Sequence, residues 1–403
     1  MSLKWPKVQL SDLTEKDRSI TYGVVKPGDE VDNGVAFIRG GDLSQGRIAI
    51  DVLRTISPQL SQIYKRTLLR GGELLISLVG NPGEVAIAPS SLQGANIARQ
   101  VGLIALRPEV DAKFIMYFLM SPVGRAELFT RTGGAVQQVI NLADLKTVAV
   151  PTPSLAVQQR IAEILSAYDD LIDNNRRRMA LLEDSARQLY REWFVRLRFP
   201  GHEHTPVVDG VPQGWERLPA TEALDINPKI KLSDAEEHWF VEMANLPTDS
   251  MVIEGAYLRD GRSGPKFQNG DTLFARITPC LENGKTGFVD FMDEGEAGRG
   301  STEFIVLRSK RVTPEFVYCL ARTYEFRGNA IKSMIGSSGR QRVQESCFEK
   351  FMVNVPPTSL LRLFSDFAEP AFEEIKNLAS QNQKLRQARD LLLPRLMNGE
   401  LAV

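Results

Sequence analysis

Cysteine is scarce in this chain. Cys280, Cys319 and Cys347 are the only three in 403 residues, and all lie in the second half. An odd number at wide spacing builds neither a disulfide framework nor a thiolate metal site, so they read as reduced, buried thiols of a cytoplasmic protein. Histidine is equally rare; His202 and His204 sit in a linker with no third ligand nearby, which excludes a zinc-type cluster there. No apolar run approaches the roughly 18 residues a membrane span requires, and the opening MSLKWPKVQL does not have the form of a signal peptide.

An excess of either charge is also missing. Lys and Arg number 49 against 50 Asp and Glu, a net charge of −1, so any nucleic-acid surface has to be a local patch. Catalytic signatures are lacking too: there is no Gly-x-Ser-x-Gly elbow, no glycine-rich dinucleotide fingerprint and no His-Glu-x-x-His helix. Gly284-Lys285-Thr286 echoes the end of a phosphate-binding loop, but Pro279 stands where that motif needs its first glycine, so it reads as a turn. Asp111 and Lys113 read as a helix start rather than a nuclease pair. The remaining composition, 43% apolar and 25% charged, is that of a globular protein. The chain reads as a binder that is noncatalytic alone.

What the sequence does contain is a repetition. Ile161, Leu165, Tyr168, Ile172, Met179, Leu182, Ala186, Leu189 and Trp193 alternate four and three apart, and Asn175 fills the remaining place. An offset of 203 residues leads to Phe364, Ala368, Ala371, Ile375, Asn382, Leu385, Leu392 and Leu396, with Leu378 and Arg389 completing that set. Two heptad helices in one phase, each after a block of roughly 155 residues, indicate a duplicated module. Residues 1–154 and 199–357 are blocks of short β-prone runs split by Gly and Pro. Each contains a short helix candidate, Ala112–Met120 or Pro314–Tyr324. Pro151 and Pro153 end the first block and Pro356-Pro357 the second; Ser154 is a candidate N-cap. Helical segments 155–198 and 358–403 follow. The fold class is α+β, two tandem globules each followed by a long helix, with a pseudo-two-fold internal repeat.

A chain that crosses to a second globule and returns runs its helices antiparallel. Setting Asn175 opposite Asn382, because a lone polar seam residue fixes register, determines every other layer. Ile161 then meets Leu396, Leu165 meets Leu392, Ile172 meets Leu385, Leu182 meets Ile375 and Trp193 meets Phe364. Tyr168 falls on Arg389, whose charge is expected to reach solvent along the ring. Asp169, Asp170 and Asp173 read as a solvated outer stripe, and Arg176-Arg177-Arg178 as a solvated face. Such an antiparallel coiled coil would be about 50 Å long at about 1.5 Å per residue.

The run from Pro151 to Leu165 (PTPSLAVQQRIAEIL), the run from Glu183 to Trp193 (EDSARQLYREW) with Phe194, the Gly214-Trp215 opening and the C-terminal LLLPRLMNG ending at Gly399 resemble the specificity subunit of type I restriction–modification systems. Leu360–Asp366 departs from the pattern in lacking Gln-Gln-Arg-Ile-Ala. The resemblance implies two target-recognition domains, each reading one half of a split DNA sequence, with the coiled coil setting their spacing. It also implies partner modification subunits that carry S-adenosylmethionine and methylate adenine, and restriction subunits that cleave double-stranded DNA with ATP. The alternative is a noncatalytic coiled-coil scaffold that holds two protein-binding domains.

For base contacts the residues of interest lie on glycine-flanked loops at equivalent places in the two halves. Gln137 and Gln138 follow Gly133-Gly134; Arg340, Gln341 and Arg342 follow Gly336–Gly339. Glutamine pairs bidentately with adenine and arginine with guanine, and glycine permits close backbone approach. Arg276, Arg299, Arg47 and Asn96 are further DNA-binding candidates, better suited to phosphate than to base contacts.

Overall fold

The computed structural model describes residues 5–129, 139–233, 235–261, 263–337, 339–401 and 403. The chain forms two compact units: Met1–Ile172 with Lys384–Val403, and Asp173–Gln383. The division passes through both long helices, so each unit holds a stretch of each.

The first unit is built on a four-stranded antiparallel sheet in the order Thr21–Tyr22, Val101–Ile104, Leu74–Ser77 and Val85–Ile87. Its central strand is apolar without alternation because both faces are covered. Leu74 and Ile76 enter a core with the helix α1 (Ala112–Met120), while Leu75 joins Ile38, Ile97 and Leu103 on the opposite side. A smaller sheet packs there, with Val35–Ile38 antiparallel to Arg54–Ile56 and parallel to Asn96–Ile97. Asp111 caps α1 by accepting from Phe114 N at 2.8 Å, which gives the Asp111-Ala-Lys113 segment its structural role. Lys7–Gln9 and Ala149–Pro151 close the unit as an antiparallel pair.

The second unit repeats this plan. Its main sheet runs Leu224–Ile226, Phe304–Ser309, Thr272–Ala275, Thr286–Phe288, all antiparallel. Its second sheet sets His238–Val241 antiparallel to Tyr257–Arg259 and parallel to Ala297–Gly300, with Lys266–Gln268 added at the edge. Glu216–Pro219 and Met352–Val355 form the closing pair. The helix α2 (Pro314–Ala321), shorter than the segment expected from sequence, is capped by Thr313 and separated by Arg322-Thr323 from a further helix, Tyr324–Lys332. The buried carboxylate at the head of the central strand is also repeated. Glu73 pairs with Arg18 at 2.5 Å, and Asp271 with Arg308 at 2.6 Å. Gly284-Lys285-Thr286 is a turn into a strand, with Lys285 Nζ donating to Met243 O at 2.6 Å. Cys319 and Cys347 are buried, whereas Cys280 is only half-buried.

Two long helices dominate the remainder: α3 (Leu155–Tyr190), continued by a π turn through Val195, and α4 (Thr358–Met397). The carbonyl of Ser154 accepts the first bond of α3, from Gln158 N at 3.0 Å. Leu197, with φ of 58°, ends the helical path just beyond the π turn. Within the second unit Asn175 Nδ2 donates to Asn382 Oδ1 at 3.0 Å and Arg178 bonds Glu374 at 2.7 Å; numbers rise on one helix as they fall on the other, so the pairing is antiparallel. Within the first unit Ile161 and Leu165 share a core with Leu393 and Leu396.

Two expectations for this seam are corrected. Arg389 does not run along Tyr168 into solvent; it is ion-paired to Asp169, with its side chain only 16% exposed. Asp169 is therefore not part of a solvated stripe, since it also accepts from the Tyr117 hydroxyl of α1 at 2.6 Å. A hydroxyl at the end of a buried ring needs such an acceptor. The second unit meets the same need differently. Tyr318 of α2 donates to Glu183 of α3 at 2.6 Å, and Arg322 lies 3.8 Å from that carboxylate.

Candidate nucleic-acid interface

One corner recurs in both units, defined by a ladder of backbone hydrogen bonds beyond the end of the central strand. In the first unit Leu78 N donates to Gln100 O at 2.8 Å, and Ile140 N donates to Leu78 O at 3.0 Å. In the second, Arg276 N donates to Glu303 O and Val343 N to Arg276 O, each at 2.9 Å. Leu78, Gln100 and Ile140 thus correspond to Arg276, Glu303 and Val343. Ile140 and Val343 each follow the glycine-flanked segment named from sequence.

The second unit's corner is a hairpin. Ile335 and Arg342 exchange backbone hydrogen bonds at 3.0 Å in both directions, and Thr278 N donates to Gln341 O at 3.1 Å. Gln341 N donates back to Thr278 Oγ1 at 3.0 Å, which fixes the residue beside Arg342. Arg340 is exposed near the tip, Gln341 half-buried and Arg342 exposed. The Arg342 guanidinium grips Glu303 through Nε and Nη2, at 2.6 to 3.1 Å. This contact holds the Glu303 carboxyl below its usual range. Arg276 reaches Glu345 at 3.4 Å, and Asn227 donates to the same carboxylate at 3.0 Å.

The corresponding corner of the first unit is a cradle. Val24, Phe37 and Ala98 floor a cavity of about 510 Å³, rimmed by Arg39, Arg54, Arg99 and Gln100. Gly23 makes the floor possible. A Cβ at that position would lie 1.8 Å from Ile97 O, blocking the approach that lets Val24 N bond Ile97 O at 2.8 Å. Arg39 is held by Asp42 at 2.8 Å, and this hydrogen bond raises its pKa further. Arg54 lies 3.6 Å from Glu30, and Arg99 is exposed on the rim. Guanidinium groups around an apolar floor match a DNA strand, phosphate outside and base edge or thymine methyl within.

Of the residues named from sequence, Arg276, Gln341 and Arg342 come together at the second corner, with Arg340 on the same hairpin. Gln137 and Gln138 lie outside the described residues. Arg299 stands in the second sheet between Phe240 and Lys266, and Arg47 in a short hairpin with Leu43–Ser44. Asn96 is a correction. It is fully buried, its amide takes Thr67 Oγ1 at 2.6 Å and donates to Ser61 O at 3.3 Å, and it pins a helical turn instead of meeting DNA. Asn96 and Arg299 occupy matched places, each beside a phenylalanine on a parallel strand pair. Sequence reasoning missed Arg39, Arg54, Arg99 and Gln100, because only strand pairing gathers these separated positions; the match of Gln100 with Glu303 is visible only in the backbone ladder. Among the described residues no cluster of His, Cys, Asp or Glu is arranged to hold a metal, and no helix is long and apolar enough to cross a membrane.

Residues 3–184 match the family model for the type I restriction modification DNA specificity domain. The chain is similar to type I restriction enzyme specificity subunits. It is 34% identical over 175 residues to the EcoBI specificity subunit of Escherichia coli, which is 42% of this chain and 36% of that one. The MjaIX specificity subunit of Methanocaldococcus jannaschii is 26% identical over 351 residues, 82% of this chain and 78% of the relative. In fold, the type I S subunit from M. genitalium is similar over 98% of this chain and 96% of its own, with a TM-score of 0.57 at 16% identity. The alignment to EcoBI therefore spans about a third of that specificity subunit.

Proposed function

We propose that this chain reads double-stranded DNA as a bipartite target, one half-site per unit, and directs a partner adenine methyltransferase to it. The supporting observation is the recurrence of one corner in both units, Leu78–Gln100–Ile140 and Arg276–Glu303–Val343, furnished each time with guanidinium and amide side chains. Duplicated readers suit a target with two halves, and paired helices would set the spacing between them. The chain would supply recognition alone. Two modification subunits would bring S-adenosylmethionine, restriction subunits would bring ATP-driven cleavage, and the assembly would work in the cytoplasm where the DNA lies.

The test is the adenine methylation pattern of cells that co-express this chain with its cognate modification subunit. The expected result is a split motif, two short defined halves around an undefined spacer. Unmethylated DNA from an active, soluble complex would instead favour a coiled-coil scaffold with two protein-binding domains.

A further inference from the structure

We propose that Glu303 is a positioning residue that presets Arg342 to read a guanine in the half-site of the second unit; this rests on the DNA-reading function above. A guanidinium has two edges able to donate a parallel pair of hydrogen bonds. Glu303 occupies the side edge, taking Nε–H at 2.9 Å on one oxygen and Nη2–H at 2.6 Å on the other. The end edge, formed by Nη1 and the second Nη2 hydrogen, has no hydrogen-bond partner among the described residues. That edge offers the donor pair that matches O6 and N7 of guanine in the major groove.

The backbone is fixed as firmly as the side chain. Arg342 is bonded to Ile335 in both directions, and its neighbours Gln341 and Val343 are tied to Thr278 and Arg276. Ordering the long side chain before DNA arrives removes part of the entropy cost that an unheld arginine meets on binding. A carboxylate beside a DNA path also repels phosphate, so its presence there suits a reader of base edges better than a backbone clamp. The first unit has Gln100 at the matching place, so the two corners are not set for the same base.

The experiment uses the full chain assembled with its modification subunits and a library of random DNA duplexes, reading the base preference at every position of the bound pool. Replacement E303Q is expected to lower discrimination for guanine at one position of one half-site by about tenfold or more, with the other half-site unchanged. R342A is expected to abolish preference at that same position. E303D, which keeps a carboxylate, is expected to restore part of it, and serves in place of E303Q if that variant does not fold. An unaltered profile in E303Q and R342A, or tighter binding to all sequences with preference intact, would overturn the assignment and make Glu303 only a mask for charge. A wild-type assembly that selects no sequence would instead remove the DNA-reading function itself.

Discussion

At the scale of single residues, the second unit contains a group whose proton is set by burial. Asp290 is pushed up to about 6, mainly by desolvation, with Lys376 offsetting only part of it. The folded chain therefore holds this proton between about pH 4 and 6, where the unfolded chain has released it. Stability from this group is greatest below the ordinary carboxylate range, falls as pH rises to about 6, and is flat above. D290N should stabilise the protein at pH 7 by about 1–3 kcal/mol and lose that advantage near pH 4. Melting temperatures of the two proteins across this range would check it; a constant difference would refute it. Residue identity was also where sequence reading of the site fell short. Arg342 was legible because glycine flanks its loop, but Glu303 lies 39 residues upstream. Asn96 looked like a polar surface residue until strand pairing buried it beneath Thr67 and Ser61.

At the scale of elements, the long helices were the most legible part because a heptad seam is a local, periodic signal. The antiparallel register set by Asn175 and Asn382 follows from chain direction and one polar layer, and the structure holds that pair at 3.0 Å. N175A and N382A should each cost about 1 kcal/mol or more, because each leaves the other amide buried without its partner. The double variant should cost less than the sum, with a coupling of about 0.5–3 kcal/mol in a denaturant double-mutant cycle. Strict additivity would mean that the asparagines contribute independently. The layer of Tyr168 and Arg389 was misread for a physical reason. Tyr168 and Arg389 fall in one layer of the expected seam, but the Tyr117 hydroxyl comes from an element 52 residues before Asp169, and a seam analysis of two helices does not contain it. The strands were located by composition, yet their order was not, since pairing between Leu74–Ser77 and Val101–Ile104 is long-range.

At the scale of the whole molecule, near neutrality would confine any attraction for a polyanion to local patches such as the rim of Arg39, Arg54 and Arg99. R99A should weaken binding evenly across sequences and reduce the slope of log affinity against log salt by about one. An unchanged slope would take that arginine off the path of the backbone. Duplication itself was legible from the 203-residue offset, while the matching strand orders of the two units became visible only in the structure. Their polar fastenings have diverged. Tyr117 is satisfied by Asp169 on α3 with Arg389 from α4, whereas Tyr318 is satisfied by Glu183 on α3 with Arg322 from the C-terminal end of α2. This divergence bears on recombination among such genes. A foreign first block spliced in at the proline turn before Ser154 inherits Asp169 and Arg389 unchanged, and without a phenol in the place of Tyr117 it loses the hydroxyl that donates to Asp169 and leaves Arg389 as that carboxylate's partner. Crossovers inside the helices, near Ile172 and Lys384, would carry each fastening whole and leave each exchanged unit its own buried partners.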